Sequence, residues 1–296
     1  MTPADLDFHG VMRFTVGLAI QIDTRGDMIR TASLPMYCLP EMAAANAAFW
    51  TALQQRLRAK GVDTGDIRFD SGGRSVPDGI GPAIFFTQMC GYPLFKHYRD
   101  QGIMLATPRY ALPGCAGSTH RAFIMVRVDD PATCLEDLRG RIFGCNSLLS
   151  NSGMNLPRLS LARIAGGKRF FSSVVMTEGH VASLERLGDC SIDVCSIDNV
   201  TWGFFSKFRP IVAKRYRIVD ETVASPSLPF VTSVNTTQSD AVAVAEALHE
   251  IMEDPKTADI RGILELAGLS VPDFAAYERL AEYEQEAADL GFPEIK

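Results

Sequence analysis

The sequence has no apolar run approaching the ~20 residues that a membrane-spanning helix requires, no block of basic residues and no CxxC pair. The first absence argues against insertion into a membrane. With 29 Lys and Arg against 35 Asp and Glu, the net charge is −6, and without a positive face the chain offers no surface for nucleic acid. The cysteines number seven, and most lie inside apolar stretches. That pattern argues against a disulfide framework or a zinc site and fits buried thiols in a reducing compartment. The GxSxG, HExxH and P-loop signatures are missing, as is a GxGxxG after a strand, so no cofactor or metal is implied and no hydrolase or dehydrogenase chemistry is marked. The start, MTPADLDFHG, is acidic, and the apolar stretch 14–20 runs straight into Gln21, Asp23 and Arg25. This is not the pattern of a cleavable secretion signal. Either a cytoplasmic location is expected, or the given start is not the natural one.

What is present is ordinary for a globular protein: 47 % apolar and 22 % charged residues in a chain of 296, enough for two units or one large one. β-like runs alternate with helical stretches, which predicts an α/β architecture with mainly parallel strands. Strands are expected at 29–37, 83–89, 102–107, 121–128, 141–146, 171–177, 193–197, 217–219 and 230–234. A helix is expected over 41–60, with Met42, Ala45, Phe49, Leu53 and Leu57 on one face. Residues 90–93 read as a turn, further helices are expected near 135–138, 154–164 and 180–187, and the tail from 240 reads as almost all helical. The loops at 112–120 and 220–229 are candidate crossings. If both are, residues 1–120 plus 223–296 form one lobe and 121–222 the other, with a ligand cleft between them.

The most informative segment is Ser150-Asn151-Ser152-Gly153, which follows a strand and opens a helix. Hydroxyl, amide and backbone N–H donors at a helix start suit an anion with several oxygens; the alternative is a plain helix cap by Ser150 or Ser152. Tyr37 and Tyr92 each follow an expected strand, at the edge where open α/β sheets place ligands, although both fit as rim aromatics. His180 and Asp198 also fall at strand ends. His180 could donate to a ligand oxygen, and an ionised Asp198 would accept from a protonated oxyanion and disfavour sulfate. Capping of a helix by either residue is the competing reading. His9, His97, His120 and His249 have no partner spacing and receive no role.

The succession TASLPMY, TQMCGYPL, ATPRYALPGCAGSTHRAFIMVR, LEDLRGRIFGCN, SNSGMN, TEGHVASLE, SIDVCSIDNVTW and LPFVTS resembles the phosphonate/phosphate-type substrate-binding proteins of ABC transporters over residues 29–270. The resemblance implies a two-lobed type 2 periplasmic-binding-protein fold, each lobe a mainly parallel sheet flanked by helices. It implies a non-catalytic receptor that passes an oxyanion to a membrane permease, and a periplasmic location. Ser150, Asn151 and Ser152 would hold the phosphorus oxygens, with Tyr92, His180 and Asp198 beside them and Tyr37 a further match by position. The middle motif residue is usually Thr and here is Asn151. A cytoplasmic biosynthetic enzyme or a ligand sensor on the same scaffold stands as the alternative function.

Overall fold

The computed structural model describes residues 28–71 and 79–296; the apolar stretch 14–20 and His9 lie outside them. The chain opens with β1 (Arg30–Ser33), α1 (Ala43–Ala59), β2 (Ile67–Asp70), β3 (Ile84–Gln88), α2 (Gly91–His97) and β4 (Gly102–Tyr110). A short crossing strand, β5 (Thr119–His120), leads into β6 (Ala122–Arg127), β7 (Ile142–Cys145), α3 (Leu156–Ala165) and β8 (Ser173–Met176). Then follow α4 (His180–Gly188), β9 (Val194–Asp198), α5 (Asn199–Phe208), α6 (Pro210–Ala213) and β10 (Tyr216–Glu221). The chain returns through β11 (Ser225–Pro226) to β12 (Phe230–Ser233), α7 (Gln238–Glu253), α8 (Ala258–Ile263), β13 (Leu266–Ser270) and α9 (Phe274–Asp289).

Two lobes result. One is built on a six-stranded sheet in the order β13-β4-β12-β3-β1-β2, the other on a five-stranded sheet, β10-β6-β9-β7-β8. Between them β5 and β11 pair antiparallel, with Ser225 opposite His120. The sheets are mixed, which corrects the expectation of mainly parallel strands. β1–β2, β1–β3, β7–β8 and β7–β9 run parallel. The pairings of β12 and β13 in the first sheet, and of β6 and β10 in the second, are antiparallel. The reversed strands are β6, β12 and β13; β6 and β12 are the first strands laid down after each crossing.

The expected face of α1 is buried, with Phe49, Leu53 and Leu57 at 2 %, 0 % and 0 % exposure; Phe49 stacks on Phe230 and Trp50 on Phe69 and Phe86. The core divides by sheet face. On β6, Phe123 and Met125 join one apolar cluster and Ile124 and Val126 the other, the alternation a strand imposes. Three expectations need revision. Residues 91–93 are not a turn but open α2, with Cys90 as its extended N-cap; the Gly91 Cα lies against the Tyr277 ring of α9, where a Cβ would come within 2.6 Å of it. The segment at 135–138 is a single 3-10 turn, and the tail contains β13.

The last helix touches both sides of the expected division of the chain. α9 packs on α2 of the first lobe: Tyr277 donates to the Ser227 carbonyl (2.6 Å), and its hydroxyl lies 3.0 Å from Thr107 Oγ1. It packs equally on α3 of the second, where Asn155 Nδ2 donates to the Leu280 carbonyl (2.9 Å) and Arg158 to the Pro293 carbonyl (2.8 Å). The Lys296 carbonyl accepts from the Phe170 N–H at 2.6 Å.

Candidate functional site: a cavity between the lobes

In both lobes the parallel strands end at the same gap, the position where α/β sheets present ligands. β1 releases residues 34–39 there and β3 releases Cys90. Facing them, β7 delivers Asn146 and Ser150, β8 delivers Gly179 and His180, and β9 ends on Asp198. Together they enclose a cavity of about 270 Å³. Its two walls differ. The second lobe contributes Asn146, Ser150, Ser152, His180, Asp198 and Thr201; the first contributes the stretch 35–40, with Cys90 and Leu228.

The helix start is wound tightly. Residues Asn151–Asn155 form a π-helical turn ahead of α3, and Ser150 caps it by accepting from the Gly153 N–H at 2.9 Å. The cap reading of Ser150 therefore holds alongside its place in the cavity wall. Ser152 Oγ lies 2.9 Å from His180 Nε2, and Asn146 Nδ2 lies 3.4 Å from the same nitrogen. Gly153 lets Asn146 approach, since an added Cβ would come within 1.7 Å of the Asn146 amide oxygen. Gly153→Ala is accordingly expected to push Asn146 into the cavity, costing about 1–3 kcal/mol in overpacking. A urea titration reads the stability loss, and ligand titration of the same variant reads the blocked cavity.

Asp198 is the hub beneath the site, 2 % exposed. Its Oδ1 accepts from the Val200 and Thr201 N–H groups at 2.8 and 3.1 Å, capping α5. The Tyr37 hydroxyl donates to it across the gap at 3.3 Å. His120 Nδ1 stands 2.8 Å from Oδ2. Burial pushes the Asp198 carboxyl upward, but the neighbouring His120 and His180 rings and the Thr201 N–H outweigh it and hold the group below the usual carboxylate range. Burial pushes His180 below its ordinary value, leaving a neutral imidazole at pH 7, and raises Tyr37 well above the ordinary phenol value. Cys90 is pushed up to about 11 by burial, so its thiol stays protonated and unreactive.

Of the seven residues singled out in the sequence, the cavity brings together Tyr37, Ser150, Ser152, His180 and Asp198. It does not reach the other two. Tyr92 lies in the first turn of α2 with its hydroxyl donating to Glu284 Oε2 of α9 at 2.7 Å and accepting from Lys96 at 3.1 Å. Asn151 is turned into the protein, where its amide donates to Ser225 Oγ at 2.9 Å and accepts from Asn155 at 3.1 Å. Asn146 and Arg209 carry no expectation, and His120, read in the sequence as without a role, stands against Asp198. His120 belongs to β5, one of the expected crossings, yet it meets Asp198 only through the fold. Arg209 at the rim pairs bidentately with Glu41 of the facing lobe at 2.8 and 3.2 Å.

Two α/β lobes joined by a paired crossing, with a cavity between them, define the two-lobed fold of periplasmic binding proteins. The chain belongs to the family described as ABC transporter, phosphonate, periplasmic substrate-binding protein, whose model matches residues 85–277. No curated protein matches it in sequence. Among solved structures it is similar to a binding protein component of an ABC phosphonate transporter from Pseudomonas aeruginosa, PA3383, at 10 % identity and a TM-score of 0.69, covering 88 % of this chain and 87 % of that one. It is also similar to PhnD1 from Prochlorococcus marinus in complex with methylphosphonate, at 11 % identity and a TM-score of 0.66, covering 88 % and 98 %. A third is XAC2383 from Xanthomonas citri bound to ATP, at 17 % identity and a TM-score of 0.63, covering 88 % and 97 %. At such identities the likeness is one of fold. Among the described residues no helix is long and apolar enough to cross a membrane.

Proposed function

We propose that this protein is the non-catalytic receptor of an ABC importer, taking a phosphorus oxyanion (phosphonate, phosphate or phosphite) into the interlobe cavity and passing it to permease subunits. Residues 121–222 act as one lobe, closing on 1–120 plus 223–296. The observation that carries this reading is the convergence of Ser150, Ser152, His180 and Asn146 on one wall, with the Tyr37 hydroxyl opposite. Uncharged donors in a cavity shielded from solvent bind an anion more strongly than they would in water, yet still permit release. The depressed Asp198 carboxyl suits a guest that arrives with a proton on one oxygen, which sulfate lacks.

The contact between Ser152 and His180 favours a second reading, since a hydroxyl beside an imidazole is also the geometry of a nucleophile and its base. Among the described residues, however, no carboxylate is hydrogen-bonded to the ring as a third member would be, so the pair serves binding: their mutual hydrogen bond uses one hydrogen and leaves the other to reach the guest. A thermal-shift series with phosphate, phosphite and methylphosphonate tests the proposal. At ligand near 100 times its dissociation constant the gain is expected to be about 2.7 kcal/mol. No response to any of the three would overturn it.

A further inference from the structure

The two walls of the cavity do not match in chemistry, and the mismatch bears on what the guest carries. All the oxyanion donors but one come from the second lobe. The first lobe faces them with Pro35, Met36, Tyr37, Cys38, Leu39 and Pro40, plus Cys90 and Leu228. In that wall the Tyr37 hydroxyl is already directed at Asp198, and the burial-raised Cys38 and Cys90 thiols carry no charge. Prolines at both ends of the stretch fix its backbone, so the apolar wall is a built surface. Phe204, Val181 and Ala182 continue it on the other side.

Size points the same way. A cavity of about 150 Å³ lined by apolar side chains suffices to hold a benzene ring, and this one measures about 270 Å³. A tetrahedral head with three oxygens leaves most of that space to be filled. An ammonium group on the guest would find no acceptor carboxylate there. Among the described residues Asp198 is the one acidic side chain in the lining; Val200, Thr201 and Tyr37 already donate to it, and the acceptor capacity it keeps is taken by the proton of the oxyanion head. The cationic lining residue, Arg209, is matched by Glu41.

We infer that the guest is an organophosphorus monoester or phosphonate with an apolar substituent of ring size, its head on the Ser152–His180 wall and its substituent against Met36, Leu39 and Pro40. This rests on the oxyanion reading of the same site and narrows it to one chemical class. Calorimetric titration with phenylphosphonate, methylphosphonate and 2-aminoethylphosphonate tests it. Phenylphosphonate is expected to bind at least 10-fold tighter than either of the others. Met36→Ser, at a half-buried position, is expected to cut phenylphosphonate affinity several-fold and methylphosphonate affinity by much less, with the unliganded Tm confirming that the variant folds; an equal loss for the two ligands would overturn the placement of the substituent. Equal binding of all three, or preference for the methyl or aminoethyl compound, would overturn the inference while leaving the oxyanion reading in place. Binding of none would overturn both.

Discussion

Asp198→Ala is expected to lower the unfolding free energy by about 3 kcal/mol, read as a fall in the urea midpoint with the slope unchanged. The carboxylate caps α5 through two backbone N–H groups, accepts from Tyr37 and faces His120, all in a buried setting. Losing a helix cap costs about 1 kcal/mol, and each buried donor left without an acceptor costs a further ~1–3 kcal/mol. The cavity moderates the loss, because water can reach the Tyr37 side. Asp198→Asn keeps an acceptor oxygen for the cap, so it should lose less stability while admitting sulfate more readily. If both variants are equally unstable, the charge and not the cap carries the effect.

The same group sets a pH dependence. A carboxyl depressed in the folded state stabilises above its unfolded value near 3.9, and that contribution is lost as pH falls through the folded value. His180 acts in the same direction. Its folded value is lowered by burial, so its contribution is present above about 6.5 and fades as pH falls below that. Stability should therefore decline on the acid side in two stages, and Asp198→Ala should flatten the lower one.

Ser152→Ala is expected to weaken every phosphorus oxyanion by about 10- to 150-fold, the equivalent of one hydrogen bond to a charged group at about 1.5–3 kcal/mol. The informative control is its neighbour. Asn151 looks inward to Ser225 and Asn155, so Asn151→Ala should reduce stability and leave affinity nearly unchanged. Calorimetry and urea titration on the two variants separate the roles. A loss of affinity in Asn151→Ala equal to that in Ser152→Ala would mean that the helix start as a whole, and not its cavity-facing side chain, makes the site.

The contrast between these adjacent residues shows what a sequence can convey here. Strand ends were readable because apolar runs stop at polar or small residues, and that placed Tyr37, Ser150, Ser152, His180 and Asp198 at the cavity. Direction was not readable: whether a side chain at a helix start faces the ligand or the protein depends on winding, and the π turn Asn151–Asn155 sends Asn151 inward. Tyr92 was misplaced for a related reason, since the clamp of Gly91 on Tyr277 aims the phenol at Glu284. His120 could not be paired with Asp198 at all. The two are 78 positions apart, and β5 meets the end of β9 only once both crossings are made. β2 and β13 escaped notice because their residues are poor strand signals: Arg68 and Asp70 alternate with the apolar positions of β2, and Ala267 and Gly268 sit inside β13.

The clasp of α9 on α2 and α3 together has a consequence for anyone who treats this molecule as two modules. Excising 121–222 would strip Leu159, Phe170 and Phe171 of the cover they share with Leu280 and Phe292. The remainder would lose the same seam from its other side. In a chimaera of relatives, exchanging the second lobe alone breaks the seam on α3, and moving residues 274–296 with it breaks the seam on α2, since the spine of the book is bound into both covers.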